Sequence, residues 1–94
     1  MNSSSGRSDY RILLSKTARE VYEAADASLQ RRLDRCFETL GTAPTQHPNI
    51  KPLKGRFSGH YRYRVGDYRV VYRIDSQNRL IIVAIIAHRS EAYR

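Results

Sequence analysis

The chain has 94 residues and carries 17 Lys+Arg against 9 Asp+Glu, a formal net charge of +8. One hydrophobic core can form at this length, with little room for a deep pocket and a second module besides. A single cysteine, Cys36, excludes a disulfide framework or a cysteine-rich zinc site within the chain and suits a reducing cytoplasm, and no apolar run approaches the roughly 20 residues of a membrane span.

Residues 1–9 are short, polar and Ser-rich and are expected to form a disordered tail, with no secretory signal, ahead of one domain over 10–94. Tyr10 to Leu14 is a brief apolar run that suits a strand. Ser15 follows as a helix N-cap, its hydroxyl available to an orphan backbone N–H. Ala18, Val21, Tyr22 and Ala25 then recur at the spacing of one helix face. Asp26 or Ser28 can start a second helix, with Leu29, Leu33, Cys36, Phe37 and Leu40 as its apolar side. Gly41 is placed for a C-terminal glycine cap. The two helices make a hairpin with one apolar side, and Cys36 reads as a core residue.

Residues 42–58 contain all three prolines, Pro44, Pro48 and Pro52, and read as a loop leading back to the sheet. Beyond it, Tyr61, Tyr63 and Val65 alternate with Arg62 and Arg64. Gly66-Asp67 is a two-residue hairpin signal. Tyr68, Val70, Tyr72 and Ile74 then alternate with Arg69, Val71 and Arg73, and Asp75 to Asn78 form a second turn. Leu80 to Ala87 is apolar throughout, as in a strand covered on both faces. The three histidines, His47, His60 and His88, lack metal-ligand spacing, so neither a metal nor another cofactor is expected.

The charge is uneven. Residues 1–50 hold seven basic and six acidic side chains, a net of +1; residues 51–94 hold ten and three, a net of +7. Such an excess favours polyanions through phosphate contacts. The two-residue turn also sets a register. Val65 faces Tyr68, Arg64 faces Arg69, Tyr63 faces Val70, Arg62 faces Val71 and His60 faces Arg73. The tyrosines and valines can then pack on the helices while Arg62, Arg64, Arg69 and Arg73 share the other side. Like charges directly opposite one another destabilise a sheet pair, so their concentration points to a polyanion that offsets the repulsion. Guanidinium forks match phosphate oxygens bidentately. Acidic groups of a protein partner could occupy the same face. Tyr93, beside Arg89 and Arg94 at the end of the chain, can stack on an RNA base or dock against the domain edge.

Taken together, Lys51-Pro52-Leu53-Lys54-Gly55, the stretch from Tyr61 to Tyr72, Ile85-Ile86-Ala87-His88-Arg89 and Ser90-Glu91-Ala92-Tyr93 resemble the RelE/ParE toxin superfamily. The resemblance covers nearly all of the chain after residue 9. It implies an α+β fold, β-α-α-β-β-β, with a two-helix hairpin packed on a mainly antiparallel sheet. For RelE-type members it implies a toxin of a type II toxin–antitoxin system: a metal-independent, cytoplasmic endoribonuclease that cleaves mRNA in the ribosomal A site. The RNA 2′-hydroxyl attacks the adjacent phosphate, leaving a 2′,3′-cyclic phosphate and a 5′-hydroxyl. The implied partners are the ribosome with its mRNA and a RelB-like antitoxin, whose wrapping segment should be acidic given the charge here.

By motif, Arg64 matches the family's general base, Arg69 the arginine that stabilises the phosphate, Arg89 the group that protonates the leaving oxygen, and Tyr93 the tyrosine that orients substrate. Lys51, Lys54, Arg56, Arg62, Arg73 and Arg94 complete the expected RNA-binding set. The family's best-known form has lysines where this chain has Arg62 and Arg64. Arginine stays protonated, so Arg64 is a poor classical base. Preorganised cations can still stabilise the transition state, and His60 or His88 could supply a titratable group. The alternative on the same fold is a ParE-like inhibitor that binds DNA gyrase and cuts nothing. A non-enzymatic nucleic-acid-binding module is a third reading.

Overall fold

A computed structural model describes residues 9–90. The elements run β1 (Arg11–Leu14), α1 (Lys16–Ala24), α2 (Ala27–Thr42), β2 (Ile50–Pro52), β3 (Tyr61–Val65), β4 (Tyr68–Asp75) and β5 (Leu80–His88), with one 3-10 turn at Gly55–Phe57. The sheet order is β1-β5-β4-β3-β2. Among the described residues only β1 and β5 pair in parallel, so the sheet is mainly antiparallel, as expected.

Both helix starts follow from their caps. The Ser15 hydroxyl accepts the Ala18 N–H at 3.1 Å, and Asp26 accepts the Leu29 N–H at 2.8 Å. Each satisfies a donor that the first helical turn leaves over. Ser15 has a second duty. Between Val71 and Tyr72 the β4–β5 register slips, since Val71 faces Ile85 while Tyr72 faces Val83. Ala84 is the extra residue of this bulge, and its carbonyl accepts the Ser15 hydroxyl at 2.8 Å. The helix cap and the strand irregularity therefore depend on one side chain.

The hairpin register is the one the turn dictates: Val65 opposite Tyr68, Arg64 opposite Arg69, Tyr63 opposite Val70 and Arg62 opposite Val71. Gly66 takes φ +58°, so the backbone calls for glycine; a Cβ there would lie 2.6 Å from Nη1 of Arg32, the end of a flexible side chain that can swing aside. Tyr63 (7% exposed), Val70 (0%) and Tyr72 (0%) are buried with Leu33, Cys36, Leu40, Ile81 and Val83. Tyr61 and Tyr68 pack partly buried against this core. The helices therefore cover the tyrosine side of the sheet and leave the arginine side open.

Four details depart from expectation. The loop over 42–58 contains a short strand, β2, antiparallel to β3, which raises the sheet to five strands. Its Pro52 is tolerated because β2 is an edge strand. Gly41 does not cap α2. The helix runs on to Thr42, and Gly41 is buried with its carbonyl accepting the N–H groups of Asp9 and Tyr10 at 2.8 and 3.0 Å. His60 does not face Arg73, because β3 begins only at Tyr61 and the His60 N–H turns back to the Phe57 carbonyl at 2.9 Å. Finally, β5 is covered on one face only: Ile81, Val83 and Ile86 are buried, while Ile82, Ile85 and Ala87 are half-exposed on the arginine side.

Candidate nucleic-acid interface

On the open side, strand alternation places Arg62 and Arg64 of β3 beside Arg69, Val71 and Arg73 of β4. Opposite Val71 and Arg69 on β5 lie Ile85 and Ala87. These apolar residues, with Leu53 and Phe57 from the segment after β2, enclose a hollow of about 290 Å³ whose other lining residues are Lys54, Arg56, Arg62 and Arg69. Arg62 and Arg69 are half-buried; Lys54 and Arg56 are exposed. The Arg56 guanidinium carbon lies 5.3 Å from the Phe57 ring centroid, close enough for a cation–π contact.

A second, shallower hollow of about 240 Å³ is lined by Pro48, Asn49, Lys51, Arg62 and Arg64. Arg62 lies between the two and donates from Nη1 to the Asn49 carbonyl at 2.9 Å. Lys51 sits directly opposite Arg62 across the β2–β3 pair. Six cations, Lys51, Lys54, Arg56, Arg62, Arg64 and Arg69, thus share two adjoining depressions. Such an arrangement suits a chain of phosphates, with the apolar floor able to take the face of a base.

The remaining expected residues behave differently. Arg73 shares the face of Arg69 but lies opposite Ile82 and lines neither hollow. Arg89 follows β5, exposed, with its backbone N–H tied to the Asp67 carbonyl at 2.6 Å. It is therefore held beside the hairpin turn, at the Arg64–Arg69 end of the sheet. Tyr93 and Arg94 lie outside the described residues.

The histidines divide by face. His88 pairs opposite Tyr68, and the two rings meet edge to face at 5.3 Å, on the side away from the arginines. His60 stands edge-on to Phe57 at 6.1 Å. Its Nδ1 is buried and has no hydrogen-bond partner among the described residues. His60 is thus the histidine next to the first hollow.

The hollow's apolar floor is only partly legible in the sequence. Val71 was visible as the apolar residue between Arg69 and Arg73 on the arginine face, but Ile85 and Ala87 reach the same place only through cross-strand pairing. Asn49 carried no signal, since it contributes its main-chain carbonyl.

The comparisons with known proteins agree with this fold. The sequence profile of the family described as ParE toxin of type II toxin–antitoxin system, parDE, matches residues 7–93. Toxin RelE of Mycobacterium tuberculosis is 46% identical over 81 residues, covering 76% of this chain and 84% of that protein. Toxin RelG of the same organism is 28% identical over 86 residues, covering 90% and 97%. In the crystal structure of the archaeal RelE–RelB complex from Pyrococcus horikoshii OT3, a chain with 25% identity superposes with a TM-score of 0.75, covering 89% of this chain and 99% of that one. A fold, a profile and curated relatives that coincide over nearly the whole chain lead to one assignment: this chain belongs to the ParE toxin family of type II toxin–antitoxin systems, within the RelE/ParE superfamily.

Proposed function

We propose that this toxin is a ribosome-dependent endoribonuclease that cuts mRNA in the A site. The observation that carries the reading is the pair of hollows with six cations around an apolar floor. In the proposed step the RNA 2′-oxygen forms a bond to the adjacent phosphorus and loses its proton. The bond from phosphorus to the 5′-oxygen breaks, and that oxygen gains a proton. A 2′,3′-cyclic phosphate and a 5′-hydroxyl result.

Charge builds up on the phosphate oxygens during this step, so fixed cations stabilise the transition state more than the ground state. Arg69 and Arg62, half-buried at the first hollow, would hold the phosphate. Arg64 would act as a cation, since a guanidinium does not deprotonate near neutral pH. Arg89 would serve the leaving oxygen and Tyr93 would orient a base. Lys51, Lys54 and Arg56 would hold the neighbouring phosphates, with Arg73 and Arg94 further out.

Inhibition would come from a RelB-like antitoxin. Solved structures of related folds include toxin–antitoxin complexes from Pyrococcus horikoshii and Mycobacterium tuberculosis, and the net charge of +8 here favours an acidic wrapping segment. Action on ribosomes places the protein in the cytoplasm, consistent with the described residues containing no helix long and apolar enough to cross a membrane.

The ParE name of the matching profile favours a second reading, a gyrase inhibitor that binds without cutting. Primer extension on mRNA held in purified ribosomes, run beside a gyrase supercoiling assay, separates the two. Cuts that require ribosomes are expected. Inhibited supercoiling with uncut mRNA would replace the nuclease reading by the second.

A further inference from the structure

The segment joining α2 to β2 lines the second hollow with Pro48 and Asn49, and it is tied to β3 through the carbonyl oxygen of Asn49. That oxygen accepts two donors from β3: the Arg64 backbone N–H at 3.0 Å and Arg62 Nη1 at 2.9 Å. Its direction is set by a tight turn. The Asn49 N–H donates to Nδ1 of His47 at 3.1 Å, the side-chain-to-second-residue bond of an Asx turn made here by an imidazole. Pro48 between them limits the backbone, and the Ile50 N–H closes onto the His47 carbonyl at 3.0 Å. The imidazole is itself held, stacked on buried Tyr63 with centroids 5.1 Å apart and planes 27° apart. A chain of contacts therefore runs from the core through His47 and Asn49 to the guanidinium that lies between the two hollows.

We propose that the His47-Pro48-Asn49 turn is a clamp that orients Arg62, with His47 as a positioning residue for phosphate recognition. An arginine side chain has many rotamers, and fixing it before the ligand arrives removes an ordering cost from binding. His47 touches neither hollow and acts only through Asn49 and Arg62. The inference rests on reading the hollows as an RNA phosphate site.

Single-turnover cleavage of programmed ribosomes tests it with the full chain and the variants His47→Phe, His47→Asn, Arg62→Ala and the His47→Phe, Arg62→Ala double. Phenylalanine keeps the ring on Tyr63 but has no acceptor, so the rate should fall roughly fivefold, the equivalent of one hydrogen bond. Asparagine places its Oδ1 near the position of the imidazole Nδ1 and should restore most of the rate. The double variant should be no slower than Arg62→Ala alone, because the loss travels through Arg62. Wild-type activity in His47→Phe, or additive losses in the double, would overturn the clamp.

A second readout needs no ribosome. In nuclear magnetic resonance spectra, rotation of the Arg62 guanidinium should be slow in the wild type and fast in His47→Phe. If the wild type fails to cut ribosomes, the functional reading falls by itself and this measurement still decides the clamp. A rapidly rotating Arg62 guanidinium in the wild type would reject it.

Discussion

Arg64 faces Arg69 directly across the β3–β4 pair, and neutralising Arg64 should make the protein more stable and less active at once. Like charges in that relation cost about 0.2–1 kcal/mol. Arg64 is exposed, so Arg64→Gln loses little packing and keeps an aliphatic stem. For a domain of this size 1 kcal/mol corresponds to about 4–8 °C, so the melting temperature should rise by about 1–8 °C. The gain should shrink in 1 M NaCl, where the screening length drops to about 3 Å from about 10 Å at 0.1 M. Cleavage of programmed ribosomes should fall on the order of 10²-fold if Arg64 is one preorganised transition-state donor. Scanning calorimetry at the two salt concentrations and single-turnover cleavage read the two effects. A variant that is less stable at low salt, or equally stabilised at both salts, would refute the argument that the cations are held together against their repulsion. Unchanged cleavage would remove Arg64 from the site.

Arg69→Ala and Arg89→Ala should each reduce ribosome-dependent cleavage on the order of 10²-fold with circular dichroism unchanged, and full cleavage by the folded double variant would eliminate the proposed site. Leu33 is fully buried, so Leu33→Ala should cost about 2–5 kcal/mol in urea unfolding; a loss below 1 kcal/mol would mean that the core is built elsewhere. Burial pushes the Cys36 thiol up from 9.0 to about 12. The folded chain keeps that proton where the unfolded chain has lost it, so this contribution is intact below pH 9 and disappears as pH rises toward 12. Cys36→Ala should therefore flatten the alkaline fall in stability by up to about 1.4 kcal/mol per pH unit, while the burial of Tyr72, which shifts its hydroxyl in the same direction, leaves a residual slope. An unchanged slope would argue against a desolvated thiol. Antitoxin affinity measured by calorimetry should weaken as salt is added, and salt-independent binding would count against an acidic segment.

The arginine side of the site was legible because its cause is local. A two-residue turn at Gly66-Asp67 leaves one register, and a period of two then decides which residues share a face. Arg62, Arg64 and Arg69 followed directly. Arg73 was read onto the same face correctly, but its distance from the hollows depends on where β5 and the segment after β2 lie. The floor under the cations combines Val71 with Ile85, Ala87, Leu53 and Phe57, and no spacing along the chain announces that meeting.

The helix start at Ser15, a second start at Asp26 or Ser28, the tyrosine core, the hairpin and the basic second half were all determined by the sequence itself. Each follows from interactions between residues a few positions apart, whose geometry a cap, a turn or a period fixes. Tertiary structure alone decided the second partner of β3, since the Ile50–Pro52 strand is too short to signal itself and forms where β3 offers an unpaired edge. It also decided the parallel pairing of β1 with β5 and the bulge at Ala84. Gly41 shows the same limit: a glycine placed for a helix end was taken instead for a close approach of residues 9 and 10 to its carbonyl. These features depend on backbone groups far apart in the chain finding partners once the core has closed, and backbone groups carry no residue identity from which they could have been read.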